Sequence, residues 1–120
     1  KNIEALINQA SEDIDKGNLT AAIAKCDAIL KIDKQNFAAY VFRGLANTGL
    51  KQYQVAVTDF EQAIRINPDS HYPHFGRGFA RYQLKLYQES IADFDQTIKI
   101  EPEYAHAYYW RGISKGFLGN

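Results

Sequence analysis

This chain has little with which to do covalent chemistry. Its single cysteine, Cys26, leaves no internal disulfide and no cysteine metal cage. It reads as a small buried hydrophobe in a protein of a reducing compartment. Charge of either sign is not in excess: fourteen basic and fourteen acidic side chains cancel among 120 residues, so no global field draws the molecule to nucleic acid or to an anionic membrane surface. Apolar runs extend only a few residues, which excludes a bilayer-spanning helix and direct membrane insertion. No basic segment followed by an apolar one opens the chain. Methionine is absent and the first residue is Lys1, so the sequence reads as a piece excised from something longer, with room for a leader or anchor outside it. A cytoplasmic location is the default.

What is present is a period. Residues 43 to 68, RGLANTGLKQYQVAVTDFEQAIRINP, align without a gap on residues 77 to 102, RGFARYQLKLYQESIADFDQTIKIEP, at an offset of 34. Arg43-Gly44, Arg77-Gly78 and Arg111-Gly112 step along at that interval, as do Asp59-Phe60 with Asp93-Phe94 and Pro68 with Pro102. A fainter unit precedes them, with Ala10 at the glycine position and Ala22, Cys26 and Ile29 where Ala56, Phe60 and Ala63 follow later. Self-similarity at such a spacing marks a repeat architecture. Each unit holds two amphipathic stretches of about 14 residues, with Pro68 and Pro102 stopping the second of each pair. Gly17 and Gly49-Leu50-Lys51 punctuate the turn within a unit, and Pro73 falls in a first helical turn, where its missing N–H is tolerated. Small residues stand where paired helices must approach, Gly44 against Ala56 and Gly78 against Ser90.

The pattern resembles the tetratricopeptide repeat: Tyr40, Gly44, Ala56, Phe60, Ala63 and Pro68 occupy its signature positions in the unit 37–70. The unit 71–104 keeps Gly78, Phe94 and Pro102 but carries His74, Ser90 and Thr97 at other signature positions, and arginine replaces the family's leucine at Arg43, Arg77 and Arg111. The resemblance implies an all-α fold, a right-handed superhelical solenoid of antiparallel helix pairs. One array spans 1–120, with units 3–36, 37–70 and 71–104 and a leftover first helix over 105–120.

The resemblance also implies a concave groove lined by one face of each first helix. In this sequence that face carries Ile7, then Val41 and Leu45, then Tyr72, Phe75, Phe79 and Tyr82, then His106, Tyr109 and Ile113. Tyr72, Phe75, Phe79 and Tyr82 are also a stripe by helical spacing alone. Such an apolar strip exceeds what a monomer ordinarily exposes and marks a contact surface. An aromatic at the position of Phe75 or Tyr109 can alternatively pack on its neighbours.

The expected function is a scaffold module that binds a protein or peptide, as an apolar helix or extended segment, with no enzymatic activity and no cofactor. The alternative is a structural or self-assembling segment whose groove is filled by itself or by flanking repeats, with self-association through the uncapped C-terminal helix. Some family members grip acidic chaperone tails with a clamp of Lys, Asn and Arg. The matching positions here are Ile7, Ser11, Phe42, Tyr72 and Gly76, or one unit later Val41, Leu45, Gly76, His106 and Trp110, so a Glu-Glu-Val-Asp tail is not expected to bind. His71, His74 and His106 gather near one helix start but lack the carboxylate or cysteine that would complete a metal set. Arg43, Arg77 and Arg111 appear with Asp59 and Asp93, while the first unit has Gln9 and Lys25 instead. This predicts an ion pair, within a unit or across units.

Overall fold

Four-residue and three-residue connections alternate along the computed structural model, which describes residues 2–119. Among these residues there are seven helices and no strand: α1 (Ile3–Asp15), α2 (Leu19–Ile32), α3 (Phe37–Gly49), α4 (Tyr53–Ile66), α5 (His71–Gln83), α6 (Tyr87–Ile100) and α7 (Ala105–Leu118). Connections this short make each helix fold back on its predecessor. Every helix accordingly packs on the ones before and after it, with lighter contacts between α1 and α3, α3 and α5, and α5 and α7. The result is an elongated stack of 50 × 26 × 21 Å.

The helix starts follow the sequence signals. Asn2 and Asn36 each accept a hydrogen bond from the backbone N–H three residues on, satisfying a donor that the first turn leaves free. Within the turns, the backbone adopts positive φ at Gly17, Lys51 and Lys85, one interval of 34 apart. Here the structure corrects the sequence reading. Gly49 belongs to α3, where Leu19 presses so close that a Cβ would lie 2.5 Å from it, and the left-handed turn residue of that unit is Lys51.

A second correction concerns the small residues. The nearest atoms to a Cβ at Gly44 and at Gly78 belong to phenylalanine rings rather than to Ala56 and Ser90. A Cβ on Gly44 would stand 2.9 Å from the Phe60 ring, and one on Gly78 would stand 2.8 Å from Phe94. Both rings are wholly buried, together with Ala56, Ala63, Ala80 and Ala107. Cys26 is buried with Ala10, Ile29 and Ala39, and burial pushes its thiol up to about 12.

The ion pairs run both ways. Within a unit Arg43 donates to Asp59 at 3.0 Å, and Arg77 forks onto Asp93 at 2.8 to 3.2 Å. Across units Arg43 reaches back to Asp27 and Arg111 to Asp95, both at 2.8 Å. Arg81 adds a second guanidinium to Asp93, at 3.0 Å, where Asn47 serves Asp59. In the first unit the polarity is reversed, with Lys25 on the second helix donating to Asp13 on the first. Burial holds the Asp59 carboxyl above its ordinary range, against the opposing bonds from Arg43 and Asn47.

One hydrogen bond repeats in every later unit. Tyr40 donates to the Lys34 carbonyl at 3.2 Å and Tyr108 to the Pro102 carbonyl at 2.8 Å. His74 puts Nε2 3.0 Å from the Pro68 carbonyl and so does the same work, with its Nδ1 buried and unpartnered.

Candidate functional site

One face of α5 carries the aromatic stripe, and on that face lies a cleft of about 360 Å³. Its floor exists because of Gly76. The equivalent residue is Phe42 on α3 and Trp110 on α7, but Gly76 has no side chain, and a Cβ there would sit 2.5 Å from the Phe60 ring below. Phe60 is therefore pressed between Gly44 and Gly76, and the volume left above Gly76 is walled by larger residues. Tyr72, Phe75 and Phe79 rise from α5, Leu45 and Thr48 from α3, and His106 and Trp110 from α7. Tyr104, just ahead of α7, closes the remaining side.

The walls brace one another. Phe75 lies 5.3 Å from Tyr104, edge to face, and 5.7 Å from the buried Phe94, while Phe79 meets Trp110 edge to face at 5.1 Å. Centroid spacings of this kind lie in the range where aromatic pairs attract one another. Among the described residues, no lysine, arginine, aspartate or glutamate lines the cleft. Burial, with the neighbouring Tyr104 phenol a lesser cause, pushes the Tyr72 hydroxyl up to about 12, and burial also raises Tyr104. Both phenols are neutral hydrogen-bonding groups at any physiological pH. The arrangement suits a bulky uncharged group with a polar edge.

Of the residues expected in the groove, the cleft brings together Leu45, Tyr72, Phe75, Phe79 and His106. The other five do not line it. Ile7 packs against the core around Cys26. Val41 and Ile113 are half-buried outside the cleft. Tyr82 points into a second aromatic cluster, 5.2 Å from Trp110, 5.8 Å from Tyr87 and 5.9 Å from Phe117. Tyr109 is 63% exposed and touches Trp110 edge to face at 5.2 Å. Tyr104 and the Phe60 floor escaped the sequence reading, because the first precedes its helix and the second belongs to a second helix. A signal was available for Trp110 and Gly76: at one interval of 34 the residues run Phe42, Gly76, Trp110, and such a contrast in volume at equivalent positions marks a place where the surface changes depth.

The three histidines have separate places. His71 packs on Tyr104 at 4.7 Å, His74 bonds the Pro68 carbonyl, and His106 faces Phe75 and Tyr104. Among the described residues no group of three His, Cys, Asp or Glu is gathered where it could hold a metal ion. No helix of the described residues is long and apolar enough to cross a membrane.

Comparison with known proteins gives the same architecture. Residues 37–70 match the tetratricopeptide repeat family model. Tetratricopeptide repeat protein 37 of Xenopus laevis is 33% identical over 69 residues, which are 58% of this chain and 4% of that protein, so the chain spans only a small part of its relative. Among solved structures, the first tetratricopeptide domain of Spaghetti (RPAP3), bound to the HSP90 peptide SRMEEVD, superposes with a TM-score of 0.95 at 22% identity, covering 98% of this chain and 94% of that one. The Arabidopsis OM64 tetratricopeptide domain gives 0.92 at 23% identity, covering 95% and 94%. MamA gives 0.93 at 24% identity, covering 98% and 69%. Identities this low speak for the fold.

Proposed function

We propose, on the premise that this chain belongs to the tetratricopeptide repeat family, that it is a scaffold module that captures a protein segment by seating a bulky apolar side chain in the cleft above Gly76. The observation that carries this reading is the cleft itself, a braced aromatic hollow where equivalent positions of the repeat are filled. Desolvating an apolar side chain between rings contributes most of the affinity of such contacts, and anchor residues of this kind commonly account for about 2 kcal/mol or more each. The rims supplied by Val41, Tyr82, Tyr109 and Ile113 would meet the flanking parts of an apolar helix or extended segment. The reading assigns no reaction to the chain.

A relative in fold is bound to the acidic peptide SRMEEVD. The same ligand is not expected here, because a groove without lysine or arginine would bury carboxylates with no counter-charge, which costs several kcal/mol. The alternative reading, a structural segment whose groove is filled by flanking repeats or by itself, predicts that isolated chains associate as concentration rises.

The test is selection followed by substitution. Peptides selected from a random library against the chain should carry a large apolar anchor. Their affinity by calorimetry should fall about 30-fold in Phe79→Ala or Trp110→Ala, the equivalent of losing one anchor. Selected peptides that bind both variants as tightly as the unsubstituted chain would place the ligand elsewhere.

A further inference from the structure

The polar edges of the cleft have a chemistry of their own. Among the described residues, the tyrosine hydroxyls that find a protein acceptor are those of Tyr40 and Tyr108, neither of which lines the cleft. Tyr72 and Tyr104 within it, and Tyr82 and Tyr109 beside it, donate to no protein group, nor does the Trp110 indole. The buried side-chain polar atom without a partner is His74 Nδ1, so these phenols and the indole N–H are open to solvent. Carboxylates and side-chain amides are absent from the described lining. The indole can only donate, and a phenol donates readily. Rings continue past the cleft, since Trp110, one of its walls, also meets Tyr82 and the exposed Tyr109. Formal charge on the groove face stands at the far end. Glu4 on α1 is the counterpart, at intervals of 34, of Ala38, Tyr72 and His106, of which the last two line the cleft, and it is exposed.

We propose that the segment captured by the cleft is proline-rich and bound as a polyproline II helix, with one large apolar residue above Gly76 and a lysine or arginine placed to meet Glu4. This rests on the cleft reading above. Hydrogen bonding selects the conformation. An α-helical ligand has already paired its carbonyls with its own N–H groups, and a β-strand brings as many N–H groups as carbonyls. A proline-rich segment brings bare carbonyls and few N–H groups. It therefore needs donors, which the phenols and the Trp110 indole supply, and flat apolar surface for its rings, which Tyr109 and Trp110 supply. Its conformation is set before docking, so an open groove can hold it at a small cost in entropy. Charge sets its direction. α1 and α5 both pack on α3. With neighbouring first helices roughly 10 Å apart, Glu4 stands about 20 Å from the cleft, or about six residues of polyproline II at ~3.1 Å each. The groove positions of α3 and α5 between them carry no charge, so the stretch joining anchor to cation is uncharged.

The probe is a synthetic peptide, blocked at both ends, of one lysine, five prolines, one tryptophan and three prolines, made also in the reverse order. In calorimetry on the full chain one of the two orders should bind, about tenfold or more tightly than the same peptide with alanine at every proline. Tyr104→Phe, which removes only a hydroxyl, should weaken the proline probe about fivefold. Tyr109→Ala, at an exposed position, should weaken it to a similar extent, about fivefold, and leave the chain's melting unchanged. Glu4→Gln should weaken it about threefold at low salt and leave a probe with glutamine in place of lysine unaffected. An alanine peptide that binds as tightly as the proline one, and still loses affinity in Phe79→Ala, overturns this proposal while the cleft reading stands. Proline peptides that bind but ignore Phe79→Ala overturn both. Absence of binding by either order of the proline probe, or indifference to Tyr104→Phe and Tyr109→Ala, overturns the proposal.

Discussion

The seam between α2 and α3 and the seam between α4 and α5 occupy equivalent places in the stack and are filled in opposite ways. At the first, a small residue of the second helix, Cys26, lies buried in a cluster against which the bulky Phe42 of the next helix packs. At the second, the bulky residue is Phe60 and the next helix contributes Gly76. A close-packed interior tolerates either division of the volume. The two differ in what they do to the surface, since a ring rooted on α3 occupies the groove side, whereas a ring rooted on α4 fills the seam from behind and leaves a hollow above Gly76. The hollow above Gly76 follows from where in the seam the bulk is attached.

The largest effect should come from removing the ring. Phe60→Ala is expected to destabilise the chain by about 3 to 5 kcal/mol, with Phe94→Ala comparable, whereas Phe79→Ala, half-buried on the groove side, should lower the melting midpoint far less. Equal losses for all three in thermal melts would make the stripe part of the core. Next in size, Gly76→Ala should destabilise by about 1 to 3 kcal/mol despite the better helix propensity of alanine, because its Cβ cannot fit 2.5 Å from the Phe60 ring. The comparison is sharpened by a swap: Phe60→Cys with Gly76→Phe copies the first seam into the second. It should recover most of the stability lost by either change alone and close the cleft to any selected peptide.

A pH titration separates the seams by another route. The Cys26 thiol and the Tyr72 phenol are both raised by burial, each to about 12, from ordinary values of 9.0 and 10.0. The folded state holds these protons after the unfolded state has released them. Their contribution to stability is therefore complete below pH 9 and is lost as pH rises toward 12. Stability measured by denaturant should fall across that window. Native Cys26 should resist thiol reagents at pH 8 until the chain unfolds, and fast labelling under native conditions would show that the first seam opens. The smallest effect is expected at the turns: Lys51→Gly and Lys85→Gly should each stabilise by up to about 1 kcal/mol, the relief of a left-handed backbone offset by the greater freedom of glycine in the unfolded chain.

Much of the fold was legible because repetition makes local signals mutually reinforcing. Thirteen, three, fourteen and four residues recur as helix, turn, helix and turn, and the proline, glycine and phenylalanine positions recur with them. The glycine at 49 misled for a local reason. Its type suggests a turn, but what required it was Leu19 on another helix, invisible to any reading along the chain. Helical spacing places Tyr72, Phe75 and Phe79 along one face of α5, but the hollow beside them was not legible, since spacing reports direction and not depth.

From its own order of residues the chain determined its period, its helices, the burial of Phe60 and Phe94, and the lack of charge on the face of α5. These depend on spacing and on apolar content, which are properties of a segment. Tertiary structure alone decided that Arg43 serves two units at once, that Tyr82 joins Tyr87 and Phe117 instead of the cleft, and that Tyr104 and Trp110 complete the cleft beside Gly76. Each of these is a contact between side chains from different helices. Its geometry follows from how the helices pack, and a seam can be filled from either side at similar cost, so only the assembled stack specifies where a surface hollow remains.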